Sequence, residues 1–279
     1  MNPSHRIEGK RGSLTPAESR VARIVLIDPE AIAFGSVAAL ARRAGASGAT
    51  VVRLADKLGY AGFVGLQAAV RTEIARQLRP AVERIRQPGA ADLLARAAAV
   101  ETDNVTATLG EVDPGSLDDA AKLMADRRRR LLIVSGDATA GVARTLADGL
   151  AMLRPGVELL DGSEVRMLRA VTAASGDVLL VVDVVRYDRA LLTVARAGAG
   201  GGARLVTLSD SPLSPIALLA EIAFTVRAVG VGPFDSHVGT LALANALVAA
   251  VARRLRRSAT ERLDGIEAAW QKAGALSED

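Results

Sequence analysis

Five short apolar runs in the second half of the chain constrain its fold more than any other feature. The runs occupy residues 131–134, 157–160, 178–182, 205–208 and 222–226. Segments with the periodicity of an amphipathic helix, such as 139–153 and 191–197, lie between them. Strands that alternate with helices form a parallel sheet with helices on both faces. We therefore expect residues 127–257 to form a three-layer α/β domain with a five-stranded parallel sheet.

The first eighty residues predict a separate, all-α domain of short helices. The segment TPAE at 15–18 has the spacing of a capping box, with proline at the first helical position. Ser36 and Ser47 stand where they can cap two later helices, and Gly45 between those helices tolerates a left-handed turn. After Ser47, apolar residues with helical spacing predict a buried stripe of Val51, Leu54, Ala55 and Leu58.

The two helices joined at Gly45 have the lengths and the turn of a helix-turn-helix motif. In that motif the second helix lies in the DNA major groove, with its N-terminal residues toward the base edges. We expect outward, DNA-contacting positions at Ser47, Gly48, Thr50, Arg53 and Lys57, with Arg42 and Arg43 neutralising phosphates. Hydroxyls bond phosphates or bases, and arginine pairs with guanine. The alternative is a helical bundle whose polar face meets only water.

The charge distribution agrees with an N-terminal domain that binds a polyanion. Residues 1–86 contain 14 basic and 7 acidic side chains, a net charge of +7, whereas the rest has a net charge of −3. An arginine-rich composition could give the same asymmetry by chance. Aromatic residues make up only 3% of the chain, which argues against a base-stacking surface for single strands. With no cysteine and two histidines, we expect neither a metal site nor a cofactor.

Residues 14–70 resemble the N-terminal domain of RpiR-type transcriptional regulators. The segment ATVVRLADKLGYAGF at 49–63 is the most specific part of this resemblance. It implies that residues 1–80 form a helix-turn-helix domain that binds double-stranded DNA. Similar proteins usually have glutamate where this chain has Gly48, so we expect its sequence preference to differ.

A helical connector is expected at 81–126 and a C-terminal helix at 258–279. The arginine run 127–130 could be a nucleic-acid patch, but its place directly before an apolar run favours the solvated start of a strand. The apolar stripe of Leu263, Ile266 and Trp270 would pack on the body or on a second subunit. The longest near-apolar run is too short to cross a membrane, and we expect a cytoplasmic protein.

Ligands of parallel α/β sheets bind beyond the carboxyl ends of the strands. The candidate loops are therefore 135–140, 183–189 and 209–214. The glycine-rich segment 198–203 fits the letter of a dinucleotide fingerprint, but it follows a helix and precedes a strand, which is the wrong order. We expect it to be an ordinary connecting loop.

The second domain resembles the sugar isomerase (SIS) fold, which in RpiR regulators binds the effector. The segments TLSDSPLSP at 207–215 and FDS at 234–236 carry the resemblance. It implies a small-molecule site in loops that commonly hold a sugar phosphate. The residues we assign to this effector site are Ser135, Thr139, Asp183, Arg186, Tyr187, Asp188, Ser209, Ser211 and Ser214.

The loop after the third strand departs from the SIS pattern. Its sequence DVVRYD at 183–188 stands where Ser-x-Ser-Gly-x-Thr is expected. Arg186 could pair with an anion, whereas Asp183 and Asp188 would repel the same anion. We hypothesise that the effector is not an ordinary sugar phosphate. The alternative is that Asp183 and Arg186 pair with each other and that the pocket is vestigial.

Two classes of function remain open at this stage. A sugar-phosphate isomerase-like enzyme would need a base, for which His237 or Glu164 are candidates, although Asp235 or Ser236 fits a helix cap better. No nucleophile–base pair is visible. We therefore expect a transcriptional regulator with no catalytic residues, which senses a small metabolite. It would bind a palindromic operator as a homodimer or homotetramer.

Overall fold

The computed structural model describes residues 3–27, 29–78, 92–160, 176–185, 187–212 and 214–275, and residues 162, 165, 167, 169, 170, 172 and 173. The chain divides into two compact units. The first unit comprises residues 1–88 and 211–218, and the second comprises 89–210 and 219–279. Each unit is described by itself below.

The first unit is built from short helices, as the sequence predicts. They are α1 (Pro3–Lys10), α2 (Pro16–Ile27), α3 (Pro29–Ala33), α4 (Val37–Arg43), α5 (Gly48–Lys57) and α6 (Gly62–Leu78), with a 3-10 turn at Arg11–Ser13. The buried stripe predicted for α5 is confirmed, because its four apolar residues lie in one core with Val21, Leu40 and Leu66. Burial of this stripe fixes which face of α5 remains available to solvent.

Side-chain caps define where these helices begin. The capping box at the start of α2 is confirmed: the backbone N–H of Thr15 donates to Glu18 Oε2 at 2.8 Å, and the N–H of Glu18 donates to Thr15 Oγ1 at 3.3 Å. Ser36 and Ser47 cap α4 and α5, each accepting from an amide three residues on at 3.2 Å. Gly45, with φ +55°, makes the turn between them.

The second unit contains the predicted five-stranded parallel sheet. Its elements are α7 (Leu93–Gly110), α8 (Pro114–Ala125), β1 (Leu131–Ser135), α9 (Ala140–Leu153), β2 (Val157–Leu159), β3 (Val178–Val182), α10 (Arg189–Gly200), β4 (Arg204–Ser209), β5 (Ile222–Thr225) and α11 (Val238–Ala273). The strand order is β2-β1-β3-β4-β5, and all pairs are parallel. The carboxyl ends of the strands therefore lie along one edge of the sheet.

Helices cover both faces of the sheet, which confirms the three-layer prediction. On one face, apolar residues of α8, α9 and α11 share a core with alternate residues of the strands. On the other face α10 packs against β3 and β4. A Cβ on Gly198 would lie 2.6 Å from Leu179 Cδ2, so glycine allows α10 to approach the sheet closely. The glycine-rich segment predicted as a loop is one only in part, because Gly198–Gly200 form the last turn of α10 and residues 201–203 connect it to β4.

Helices α7 and α8, from the segment predicted as a connector, pack against α11. Two buried side chains of α7 bind the chain that follows β5. Asn104 pairs with the backbone of Val229 at 2.8 and 3.1 Å, and Thr108 Oγ1 accepts from the N–H of Arg227 at 2.9 Å. Because these groups are buried and satisfied, they fix α7 against the second unit.

Helix α11 is continuous over 36 residues, and its first half carries the buried stripe of Leu243, Leu247 and Val251. It is long and apolar enough to cross a membrane, with a mean hydropathy of 1.4 in its most apolar window. Core helices of globular proteins meet the same test of length and composition, and residues of the first half of α11 lie in the core described above.

The arginine run 127–130 directly precedes β1, as expected. Arg128 and Arg129 pair with Asp126 at 2.9 and 3.0 Å, and Arg130 pairs with Asp177 at 2.6 Å. Arg128, Arg129 and Arg130 therefore form ion pairs within the second unit.

Candidate functional site

The solvent side of α5 is a compact surface of mixed chemistry. Ser47, Ala49, Val52, Arg53 and Asp56 are exposed along it. Among the described residues of the domain, Arg53 makes one long contact, from Nη2 to Thr50 Oγ1 at 3.5 Å. The face thus offers a hydroxyl, a small apolar patch and a guanidinium group, which are the groups that read base edges and phosphates.

The expected outward position of Thr50 is wrong. Its side chain is only 5% exposed, because its backbone N–H donates to the capping Ser47 Oγ at 3.2 Å and its hydroxyl lies 2.9 Å from the same oxygen. These hydrogen bonds with Ser47 turn the Thr50 side chain away from solvent. Its hydroxyl contacts Ser47 Oγ and the guanidinium group of Arg53 rather than solvent.

The expected outward position of Lys57 is also wrong. Its Nζ lies 2.9 Å from Glu18 Oε2 and 2.6 Å from the carbonyl oxygen of Ser13. The backbone hydrogen bond from Thr15 and the hydrogen bond from Lys57 lower the pKa of Glu18. Lys57 therefore fastens α5 to the start of α2.

Two exposed apolar residues of α5 were missed from the sequence. Val52 is 37% exposed and Ala49 is exposed one turn earlier. They share a face with Arg53, so the helical period alone could have identified them. Apolar side chains at such positions contact thymine methyl groups in the major groove. Arg42 and Arg43, which end α4, are exposed as predicted.

In the second unit, the loop after β1 is tied to the end of β3. Thr139 is buried, and its Oγ1 lies 2.8 Å from the carbonyl oxygen of Val182 and 3.1 Å from that of Gly136. Ser135, the last residue of β1, is buried as well. The Thr139 hydroxyl predicted to bind the effector is therefore engaged by the backbone.

Asp183 is the most unusual side chain at this edge of the sheet. It is 3% exposed, and a Cβ on Gly136 would lie 3.3 Å from its Oδ1. Within the described residues, its Oδ2 has no hydrogen-bond partner. Burial raises the pKa of Asp183 to about 7, and the charges of Asp188 and Asp210 add to this, against a backbone hydrogen bond from Asp188.

Asp210, which the sequence did not single out, organises the loop after β3. Its Oδ1 accepts from the N–H of Val185 and from the hydroxyl of Tyr187, both at 3.1 Å. Val185 has φ +50°, a conformation that β-branched residues rarely adopt. Such strain persists only where surrounding contacts enforce it, and it is concentrated at functional sites.

The other predicted effector residues divide into two groups. Asp188 Oδ1 accepts from the N–H of Ala190 at 2.7 Å and caps α10, and Ser214 Oγ accepts from the N–H of Ala217 at 3.0 Å. Ser209 and Ser211 are buried, and Ser209 Oγ lacks a partner within the described chain. Arg186, and with it the pairing proposed between Arg186 and Asp183, lies outside the described residues.

Residues 1–77 match the family described as the helix-turn-helix domain of the rpiR family. The chain carries an rpiR-family helix-turn-helix domain. The HTH-type transcriptional regulator HexR of Pseudomonas aeruginosa is 25% identical over 219 residues, which cover 76% of this chain and 75% of HexR. The domain predicted from the resemblance to RpiR regulators is thereby confirmed.

Two solved structures have a similar fold, one over nearly the whole chain and one over the second domain. Vibrio vulnificus NanR, solved in complex with ManNAc-6P, is 19% identical with a TM-score of 0.59, over 98% of this chain and 99% of that one. The sugar isomerase domain of an RpiR transcription factor from Sphaerobacter thermophilus is 25% identical with a TM-score of 0.58, over 63% of this chain and 99% of that one. The chain thus has the architecture of RpiR-type transcriptional regulators, with an SIS-like second domain.

Of the residues weighed for an enzyme, the structure describes Asp235, Ser236 and His237 at the start of α11. His237 begins α11, burial lowers its pKa, and its Nδ1 has no hydrogen-bond partner in the described structure. Ser236 Oγ instead accepts from the N–H of Val238 at 3.2 Å, which agrees with a role at the helix start. Glu164 lies outside the described residues.

Proposed function

We propose that the protein is a DNA-binding transcriptional regulator whose SIS-like domain senses a small metabolite. The observation that carries this proposal is the exposed face of α5 in an rpiR-type helix-turn-helix domain. Helix-turn-helix proteins place that face in the major groove. The relatives named above support the same class of function, because they are transcriptional regulators by name.

Each exposed group of this face has a role in the proposed complex. Arg53 would read a guanine or bind a phosphate, and Ser47 would bind a phosphate or a base edge. Val52 would contact a thymine methyl group. Arg42 and Arg43 would neutralise phosphates beside the groove, which gives binding that weakens with salt.

The effector would bind in the SIS-like domain at the carboxyl edge of its sheet. That edge gathers the loops after β1, β3 and β4, where parallel α/β domains bind their ligands. NanR, whose fold is similar, was solved with the sugar phosphate ManNAc-6P. An effector that binds one conformation of the protein better than another would change the affinity of the protein for DNA. DNA binding would change the affinity for the effector by the same coupling free energy.

The proposed assembly is a homodimer or a homotetramer on a palindromic operator in the cytoplasm. A two-fold assembly places two copies of α5 on two half-sites, which multiplies the contacts and fixes the spacing of the half-sites. An isomerase-like enzyme is the second candidate, suggested by the SIS-like fold alone. No residue arrangement described above favours it.

Selection of duplexes from a random pool by the full chain tests the function. We expect an enriched palindromic sequence, bound more tightly than a scrambled duplex by about 10³-fold or more. The logarithm of the binding constant should fall linearly with the logarithm of salt concentration. Enrichment of no sequence, with equal affinity for all duplexes, would contradict the proposal.

A further inference from the structure

The sheet edge of the SIS-like domain contains two buried polar atoms that have no partner among the described residues. They are Oδ2 of Asp183 and Oγ of Ser209. The two residues follow the register pair Val182 and Leu208, and the N–H of Asp183 donates to Leu208 O at 3.1 Å. Neighbouring positions on parallel strands turn their side chains to the same face. Buried polar atoms in native proteins almost always have partners, so this pair indicates a missing ligand group.

The charges around these atoms decide which ligand group fits. Asp188 and Asp210 both act on Asp183 and raise its pKa, so the local field disfavours a further anion. The hydroxyl of Thr139, on the neighbouring loop, is engaged by the carbonyl oxygens of Val182 and Gly136. Among the side chains that the structure describes at this edge, a phosphate would meet carboxylates and few available donors. A hydrogen-bond donor that carries a positive charge would be stabilised instead.

We propose that this edge of the sheet recognises an ammonium group of the effector, with the Asp183 carboxylate as acceptor and the Ser209 hydroxyl beside it. The inference rests on the proposed function, since it names the chemistry of the effector site. The ammonium group supplies the N–H donors that Asp183 Oδ2 and Ser209 Oγ lack. Asp210, next to Ser209 in the chain, holds the strained Val185 by accepting from its N–H at 3.1 Å.

A metal ion is a poorer candidate for the same place. Across the described residues, no three side chains among histidine, cysteine, aspartate and glutamate converge as metal ligands would. One carboxylate oxygen with a neighbouring hydroxyl suits an ammonium ion, which forms three directed hydrogen bonds.

Matched pairs of ligands test the proposal by calorimetry on the full chain. The probes are glucosamine and mannosamine against glucose and mannose, with putrescine as a non-sugar amine and glucose 6-phosphate as the anion. We expect amines to bind at least about tenfold more tightly than their neutral counterparts, since charge-assisted hydrogen bonds contribute that much. Comparing the affinity for putrescine with that for the amino sugars shows whether the site requires a sugar ring or accepts another amine. Binding of glucose 6-phosphate alone, or of no amine at about 10 mM, would overturn the proposal.

The variant Asp183→Asn separates recognition from folding, because it keeps the shape and removes the buried charge. We expect it to weaken amine binding by about 10- to 150-fold. Asp148→Asn, at an exposed position on α9, is the matched control and should bind as the wild type does. Equal amine affinity in wild type and Asp183→Asn would overturn the role of Asp183.

The pH dependence of binding is a second readout. Asp183, which faces Asp188, Asp210 and the Tyr187 loop, has a pKa near 7 and must lose its proton to accept from an ammonium group. Putrescine affinity should therefore rise from about pH 5.5 to about pH 7, because its alkylammonium groups stay charged over this interval. Affinity that is flat over this interval would contradict the mechanism. Operator binding measured on the same preparations shows separately whether the regulator proposal stands.

Discussion

The buried carboxyl group of Asp183 is expected to lower the folding stability of the protein at neutral and alkaline pH. Asp183 is almost fully buried, and its pKa rises to about 7 in the folded protein. In the unfolded chain the same carboxyl ionises near pH 4. Between these values the folded state holds a proton that the unfolded state has released, so folding stability falls as pH rises. Above about pH 7 the carboxyl is ionised in both the folded and the unfolded state, so the loss of folding stability no longer grows with pH.

The variant Asp183→Asn should therefore be more stable than the wild type at alkaline pH. The gain is expected to be largest above about pH 7 and to vanish near pH 4, where both forms of residue 183 are neutral. Thermal unfolding of the two proteins across this interval measures the difference. A gain that is independent of pH would show that burial does not perturb the Asp183 carboxyl.

Ser47 is expected to matter for folding as well as for DNA. Its Oγ accepts from the N–H of Thr50, so Ser47→Ala should lower the free energy of unfolding of the first unit by about 0.5–2 kcal/mol. Ser19→Ala, at an exposed position within α2, is the control and should change stability little. Chemical denaturation measures both variants. Equal stability of Ser47→Ala and the wild type would show that the Ser47 cap does not stabilise α5.

At the scale of single side chains, the sequence predicted caps better than it predicted orientation. The serine caps and the capping box follow from residue type and spacing within four residues. Thr50 and Lys57 were placed wrongly because their partners, the capping hydroxyl and Glu18 of another helix, compete with solvent for them. Asp210 was missed because its role depends on the loop after β3, which is distant in sequence.

At the scale of elements, the strands and helices were predictable because their apolar periods are regular. The five predicted strands differ from the observed ones by about one residue at their ends. Their order in the sheet could not be read from the sequence, because it depends on which strands pair across crossover helices. The packing of α7 on α11 likewise depends on Asn104 and Thr108, which pair with distant backbone.

Two glycines of α11 provide a test of that packing. A Cβ on Gly239 would lie 2.7 Å from Arg227 O and 3.0 Å from Asn104 O, so Gly239→Ala should destabilise the second unit by about 1–3 kcal/mol. A Cβ on Gly265 meets nothing within 4 Å, so Gly265→Ala should be neutral or stabilising by up to about 1 kcal/mol. Calorimetric unfolding compares them. Equal stability of the two variants would contradict the close approach of α7 to α11.

At the scale of the whole molecule, the proposed function requires more than one copy of the chain. A palindromic operator presents two half-sites, and one copy of α5 can occupy only one of them. Light scattering at micromolar concentration should therefore report a dimer or a tetramer. A monomer under these conditions would remove the symmetric mode of binding, although each rpiR-type domain would keep its exposed face.

The central claim is that α5 reads DNA through its exposed face, and Arg53 tests it most directly. The full chain is titrated against its selected operator by fluorescence anisotropy, as wild type, as Arg53→Ala and as Arg257→Ala. Arg257 is an exposed arginine of α11 and serves as the control. Arg53→Ala should weaken operator binding by about 5- to 150-fold, corresponding to about 1–3 kcal/mol, while Arg257→Ala binds as the wild type does. Undiminished binding by Arg53→Ala would contradict the claim.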